Sequence, residues 1–375
     1  MTLHRRRRRG ANAGALLIIL VAVAAVLFGT GHRSPGSPSG ASVAQTTVPL
    51  PRPSATTTGR ASTSRAKTGA SSRAGGGDLS LVVEPDAGLA PIYDLLRSAR
   101  HSVEVEIYEL EDDQAAALLA ADARRGVRVR VLLNRHFVGR YNEPALTYLQ
   151  AHGVAVRWAP AHFDVTHEKA IVVDGRRAAL MTMNLTARYY SDTRDFVVLD
   201  ARHADVAAVA ATFANDWAGG GLPPSSPPAL VWSPGAQDTL VGLIASARRR
   251  LLVENEEMAD DEVTSALVAA ARRGVSVQVV MTRQRDWFAA FSTLARAGVD
   301  VRTYAASAPL YIHAKAIVVD PGTAHARAFV GSQNFSATSL LYNRELGLLT
   351  TRRPIVAALA AVIARDGAGA ARWRP

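Results

Sequence analysis

Hydrophobic and polar positions follow three rhythms along this chain. The first is an unbroken apolar run. Ala11–Gly31 is uncharged, and its centre, Ala15–Phe28, is almost wholly apolar. At about 1.5 Å per residue these 21 residues span roughly 30 Å, enough for a bilayer core. Arg5–Arg9 precede the run, which predicts a cytoplasmic amino terminus with everything after Gly31 facing outward. The same pattern fits a signal peptide, with Ser42-Val43-Ala44 as a small-x-small cleavage site. The expectation is an extracytoplasmic protein, either anchored by a single amino-terminal helix or secreted after cleavage. In the second rhythm, residues 32–77, there is almost no large apolar side chain among Ser, Thr, Gly, Pro, Ala and Arg. Such a segment buries too little surface to offset ordering entropy and reads as a disordered linker.

The third rhythm alternates short apolar strands with amphipathic helices, and it occurs twice. Ser98-Ala99-Arg100 and Ser246-Ala247-Arg248 each precede a strand. Asp112-Asp113 opens a helix that ends at Arg124-Arg125-Gly126 before the strand Val127–Leu132, and Asp260-Asp261 leads likewise to Arg272-Arg273-Gly274 and Val275–Val280. His152–Arg157 and Ala297–Arg302 each read as a helix end followed by a strand. The order predicts α/β layering in two similar lobes related by a pseudo-twofold axis. The expected organisation is therefore 1–31 signal anchor or signal peptide, 32–77 linker, 78–218 first lobe, 219–228 (GGGLPPSSPP) inter-lobe linker and 229–375 second lobe. Ile355–Ala364 reads as a helix packed on the second lobe without functional signal.

Charge changes the picture less than its total suggests. The chain has 375 residues and a net charge of +11. Residues 1–77 hold eleven basic and no acidic side chains, whereas 78–375 hold 32 of each. The folded part is thus neutral, and the charge by itself gives no support to a nucleic-acid-binding domain. The absence of Cys excludes disulfides, thiolate metal sites and a cysteine nucleophile. Only three of the basic residues are Lys, and two of them, Lys169 and Lys315, have nearly identical surroundings.

Those surroundings carry the chemistry. The first copy reads His167-Glu-Lys169 through Asp174, then Thr182-Met-Asn184, then Asp195; the second reads His313-Ala-Lys315 through Asp320, then Ser332-Gln-Asn334, then Glu345. On a strand, positions i and i+2 share a face, so each His and Lys point together. An imidazole, an ammonium, a hydroxyl and an amide are what phosphoryl chemistry uses: a nucleophile or proton donor, a positive clamp and hydrogen-bond donors.

The doubled H-x-K-x(4)-D motif, each copy followed by a hydroxyl-x-Asn element, resembles the phospholipase D superfamily over residues 79–350, including its phospholipase D-like and cardiolipin synthase-like branch. The resemblance implies a metal-independent phosphodiesterase with no cofactor. It implies His167 as nucleophile, forming a phosphohistidine, and His313 as general acid and base. By the same resemblance Lys169, Lys315, Asn184 and Asn334 hold phosphoryl oxygens with help from Thr182 and Ser332. Asp195 and Glu345 hydrogen-bond histidine, and Asp174 and Asp320 bond backbone. One departure stands out: Met181 occupies the place of Gly331 in the second copy, which predicts a reshaped phosphate pocket.

The substrate expectation is a phospholipid, with an exported phospholipase D hydrolysing phosphatidylcholine-type headgroups to phosphatidic acid. It draws on export, neutrality and apolar loop residues (Ala308–Ile312, Trp287-Phe288, Phe291) placed to touch a lipid interface; packing is an equal reading for the Trp-Phe group. The alternatives are a nuclease using Arg135, Arg140, Arg188, Arg283 and Arg285, a cardiolipin synthase-like phosphatidyl transferase, and an inactive surface binding module. Membrane contact through the amino-terminal segment and a monomeric state are expected.

Overall fold

A computed structural model describes residues 73–221 and 226–375, all within one unit, Ala70–Pro375. The expected anchor and most of the expected linker lie outside the described residues. Among those described, no helix is long and apolar enough to cross a membrane. The end of the expected linker, Arg73–Gly76, is a strand paired with its successor.

The first lobe runs β1 (Arg73–Gly76), β2 (Leu79–Glu84), α1 (Ala90–Arg97), β3 (Ser102–Ile107), α2 (Asp113–Arg124), β4 (Arg128–Leu133), α3 (Gly139–Ala151), β5 (Ala155–Trp158), β6 (Lys169–Val173), β7 (Arg177–Met181), β8 (Thr193–Asp200) and α4 (His203–Trp217). The second runs β9 (Leu230–Ser233), α5 (Ala236–Ala245), β10 (Arg250–Glu254), α6 (Asp261–Arg272), β11 (Ser276–Thr282), α7 (Phe288–Arg296), β12 (Asp300–Tyr304), β13 (Tyr311–Ile312), β14 (Ala316–Val319), β15 (Arg327–Gly331), α8 (Ala337–Leu341), β16 (Glu345–Thr350), α9 (Arg353–Gly369) and β17 (Ala371–Arg372). Strand order is β1-β2-β8-β7-β6-β3-β4-β5 in one sheet and β17-β12-β11-β10-β14-β15-β16-β9 in the other. Apart from the added edges β1 and β17, the two orders are the same, as a repeat requires. In each lobe three parallel strands (β3, β4, β5; β10, β11, β12) alternate with helices, and the other pairings within a lobe are antiparallel. The fold is two similar α/β lobes.

Local chemistry explains the matching helix starts. Asp112 accepts hydrogen bonds from the backbone N–H of Gln114 and Ala115, and Asp260 from that of Val263; such caps contribute about 1 kcal/mol each. Both faces of the central strands are apolar because both are covered. On β6, Ala170 and Val172 join a central cluster shared by the lobes, while Ile171 and Val173 join the first lobe's outer core. On β14, Ala316 and Val318 face the centre and Ile317 and Val319 face outward. The central cluster also takes Val206 and Val209 from α4 and Ile355, Leu359 and Ile363 from α9.

Backbone pairing stitches the lobes together beside the motifs. β13 pairs in parallel with β8, with Tyr311 opposite Thr193 and Ile312 opposite Arg194. The reciprocal contact is the bridge between Thr166 and Arg344. His167 N–H donates to Arg344 O at 2.9 Å and His313 N–H to Arg194 O at 3.3 Å. Each motif histidine thus hangs on the strand end that carries the other lobe's Asp195 or Glu345.

Candidate active site

The site assembles from four strand ends. Each H-x-K-x(4)-D motif is fixed at its far end by its aspartate. Asp174 (φ 55°) and Asp320 (φ 47°) turn the chain in a left-handed conformation. Their carboxylates accept from three consecutive backbone N–H groups, Arg100–Ser102 and Arg248–Arg250 respectively. These bonds tie the end of the motif strand to the start of its neighbour. They hold both carboxyls below the usual carboxylate range, despite the opposing effect of burial.

At the near end, the partnership crosses the lobes. His167 Nδ1 lies 2.8 Å from Glu345 Oε2, and His313 Nδ1 lies 2.8 Å from Asp195 Oδ1. Neither histidine is oriented by the carboxylate of its own copy. With Nδ1–H given to the carboxylate, Nε2 carries the lone pair, the tautomer a nucleophile or base needs. Burial lowers the His167 pKa to about 4, against the raising influence of Glu345 and with help from Lys169. Burial acts to raise the Asp195 and Glu345 carboxyls, but the facing histidines, with Lys315 and Thr182 at Asp195 and Lys169 and Ser332 at Glu345, leave both lowered.

The lysines lie beside their histidines. Lys169 Nζ donates to His167 O and Lys315 Nζ to His313 O, each at 2.5 Å. Burial pushes Lys169 down to about 7, partly countered by Glu345. The Lys315 charge acts on both His167 and Lys169, so the two motifs share one electrostatic site.

The remaining predicted residues divide. Asn184 Oδ1 and Asn334 Oδ1 are both buried with no partner among the described residues, and Asn334 Nδ2 donates to Glu257 Oε1 at 3.0 Å. Thr182 and Ser332 are both fully buried, and their hydroxyls bond within the sheet. Thr182 Oγ1 donates to Asp195 Oδ1 at 2.5 Å and accepts from Phe196 N–H, and Ser332 Oγ accepts from Leu346 N–H. These bonds join each hydroxyl to the strand that carries the carboxylate.

The structure also places Met181. It sits in the first lobe's outer core, opposite Val197 on β8. The second lobe pairs Gly331 with Gly347 there. A Cβ on Gly331 would stand 2.5 Å from Gly347 Cα and 2.8 Å from the Phe329 ring. The first lobe has Ala179 where the second has Phe329. Ala179 with Met181 and Val197 therefore stands in the first lobe's outer core where the second lobe has Phe329 with two glycines. Of the apolar residues expected at a lipid interface, Ile312 and Phe291 pack inward, whereas Pro309 is exposed and Leu310, Trp287 and Phe288 are half-buried. Ile312 joins the central core, Phe291 is buried, and Phe288 stacks on Trp373 at 4.7 Å. Of the arginines named for a nucleic-acid groove, Arg188 is committed to Glu109 and Glu111.

Sequence reasoning missed five residues. Arg344 Nη2 donates to Asp216 Oδ1 at 2.7 Å, and Arg194 Nε donates to Asp366 Oδ2 at 2.5 Å. Both pairs are buried and join opposite lobes. Their members recur 150 positions apart, the same spacing as Asp195 and Glu345, and that spacing was the available signal. The fifth is Glu256, whose Oε2 accepts from Lys315 Nζ at 2.9 Å and lies 3.5 Å from His313 Nε2. Its counterpart in the repeat is Tyr108, so the repeat gave no hint of it.

Comparison with known proteins agrees with this geometry. The family model described as cardiolipin synthase, PLD-like domain, matches residues 92–217 and 240–366. Cardiolipin synthase A of Pseudomonas entomophila (strain L48) is 28% identical over 323 residues, 74% of this chain and 65% of that protein. The chain thus spans about 65% of the length of this curated relative. In fold it is similar to phosphatidylserine synthase of Haemophilus influenzae Rd KW20 (TM-score 0.61, 12% identity, 79% of this chain and 87% of that one). It is also similar to polyphosphate kinase from Porphyromonas gingivalis (TM-score 0.60, 15% identity, 77% and 50%).

These findings correct two expectations. The relatives are named for making cardiolipin, which overturns the reading as an exported phospholipase D that degrades phosphatidylcholine-type lipids and favours the phosphatidyl transferase alternative. The extracytoplasmic location, read from Arg5–Arg9 and the apolar run Ala11–Gly31, is corrected by the same finding. Two matched segments, two lobes of one topology and two complete His/Lys sets lead to one conclusion: the chain belongs to the phospholipase D superfamily, in its cardiolipin synthase-like branch.

Proposed function

We propose that this protein is a phosphatidyl transferase that moves a phosphatidyl group between alcohols through a covalent histidine intermediate. The observation that carries the reading is the crossed arrangement of two histidines, each with Nδ1 on the opposite lobe's carboxylate. The relatives' name supports transfer to a lipid alcohol over transfer to water.

In the first step the His167 Nε2 lone pair attacks phosphorus, the bond from phosphorus to the departing alcohol oxygen breaks, and His313 gives that oxygen its Nε2 proton. In the second, the acceptor hydroxyl attacks phosphorus, its proton passes to His313, and the phosphorus–nitrogen bond breaks to restore His167. His167 is assigned as nucleophile because its lowered pKa, about 4, leaves the ring neutral and its lone pair free at neutral pH. Lys169, Lys315 and Asn184 supply charge and hydrogen bonding for the phosphoryl oxygens. Asp195 and Glu345 fix the tautomers and stabilise each imidazolium as it forms. Every step uses side chains of this chain alone.

The test is to incubate the full-length protein in mixed micelles with phosphatidylglycerol. A phosphatidyl group passed to the free hydroxyl of a second phosphatidylglycerol yields cardiolipin and glycerol in equal amounts. Both products are expected, and both should vanish in His167→Ala and in His313→Ala. Phosphatidic acid without cardiolipin would overturn the proposal.

A further inference from the structure

The two lobes differ most in chemistry at one pair of equivalent positions, and that difference points at the phosphoryl subsite. In the first lobe Lys169 Nζ lies over the neutral ring of Tyr108, 5.0 Å from its centroid, and the same ring meets His167 edge-on at 4.9 Å. In the second lobe the corresponding place holds Glu256. Its Oε2 binds Lys315 Nζ at 2.9 Å and lies 3.5 Å from His313 Nε2; its Oε1 accepts from Tyr311 O–H at 3.0 Å. The Lys315 side chain is fully buried, while that of Glu256 retains 14% exposure. The carboxylate therefore lies on the open side of the ammonium, against the very nitrogen of His313 that the proposed reaction uses.

A carboxylate and a phosphoryl group seek the same partners, an ammonium and an imidazole N–H. Two anions sharing them repel, and like charges brought together in a partly desolvated site are strongly disfavoured. We propose that Glu256 occupies the second lobe's phosphoryl subsite before substrate arrives, so that an anionic phosphodiester binds by displacing its carboxylate from Lys315. Glu256 is then an internal competitor that sets the affinity of the site for phosphoryl groups. Its lowered pKa, which the Lys315 and His313 charges enforce against the effect of burial, keeps that competitor charged. The first lobe, with Tyr108, has no such competitor, which makes the two halves of the subsite unequal. The inference deepens the transferase reading, because it takes the cluster to be a phosphoryl site.

The test is calorimetric titration of inorganic phosphate into the full-length wild type, Glu256→Gln and Glu256→Tyr. Gln keeps the shape and the Tyr311 contact but loses the charge; Tyr installs the first lobe's arrangement. Both variants should bind phosphate at least about tenfold more tightly than wild type. Equal or weaker binding with an unchanged melting temperature would overturn the role of Glu256 while leaving the transferase reading intact. No phosphate binding in any of the three would overturn the phosphoryl subsite itself, and the cardiolipin assay reports separately on the reaction. A measurement on wild type covers variants that fail to fold. Infrared difference spectra on adding phosphate should show a carboxylate stretch shifting as it leaves an ammonium, and an unchanged carboxylate band would count against displacement.

Discussion

An imidazole in water titrates near 6.5, but His167 does not behave as one in water. Burial holds it neutral down to about pH 4 even though the Glu345 charge pulls the other way. The sign is set by which form burial penalises: the imidazolium loses hydration, so the neutral ring persists to lower pH. Burial acts to raise the Glu345 carboxyl, but the facing histidine together with Lys169 and the Ser332 hydroxyl leaves it lowered. For the nucleophile role proposed for His167, the consequence is a ring that needs no deprotonation in mildly acidic solution. Measured as kcat/KM, which reports groups on the free enzyme, the acid limb assigned to His167 should fall near pH 4. A limb near 6.5 would mean that the ring is hydrated as in a peptide. The paired His and Lys were legible in the sequence because a strand puts i and i+2 on one face. The duty of Thr182 was not, because its partner Asp195 lies on the next strand and the match depends on the register of β7 against β8.

The elements bearing the carboxylates have a common design. Arg194 precedes Asp195 and Arg344 precedes Glu345. Adjacent residues at a strand end point to opposite sides, so the acid reaches the other lobe's histidine while the arginine reaches an aspartate on a helix, Asp366 on α9 or Asp216 on α4. Arg344 also stacks over Phe163 at 4.2 Å and donates to Gly221 O. Breaking such a buried pair from one side costs about 3–5 kcal/mol, whereas replacing both partners by apolar groups of similar volume is often neutral. This separates stability from positioning. Arg344→Met alone should lower the melting temperature, and Arg344→Met with Asp216→Leu should restore it. If the pair also aims Glu345, kcat of the double variant should stay depressed, with KM little changed, as expected when a transition-state interaction is loosened. Full recovery of kcat along with stability would show that the pair is only structural. The α9 helix was legible as an apolar stretch, but Asp366 was not legible as a partner. Its role depends on a contact between residues 172 positions apart, which local periodicity cannot report.

Taken as a whole, the molecule is two copies of one topology, neither of which completes its own site. The repeat, the strand–helix alternation and both motifs were legible because each is a local pattern that occurs twice. The crossing of the carboxylates was not, since Asp195 follows His167 and Glu345 follows His313 in each copy just as it would if each lobe were self-sufficient. What decides the matter is how the lobes meet. The central cluster joins Leu81, Val83 and Phe196 of the first lobe to Leu252, Ile312 and Leu348 of the second. A fully buried side chain of this size contributes about 1.5–3 kcal/mol, so a handful supply on the order of 10 kcal/mol to the junction. The β13–β8 pairing and the two buried ion pairs lie across the same boundary. The covalent link between lobes is therefore dispensable once the chain has folded. A protease site inserted within residues 219–228 and cleaved in the purified protein should leave both fragments in one peak on size-exclusion chromatography. The nicked protein should convert phosphatidylglycerol at the uncut rate, because each histidine keeps the carboxylate brought by the other half. Fragments that separate, with activity lost, would show instead that the connecting segment holds the two half-sites together.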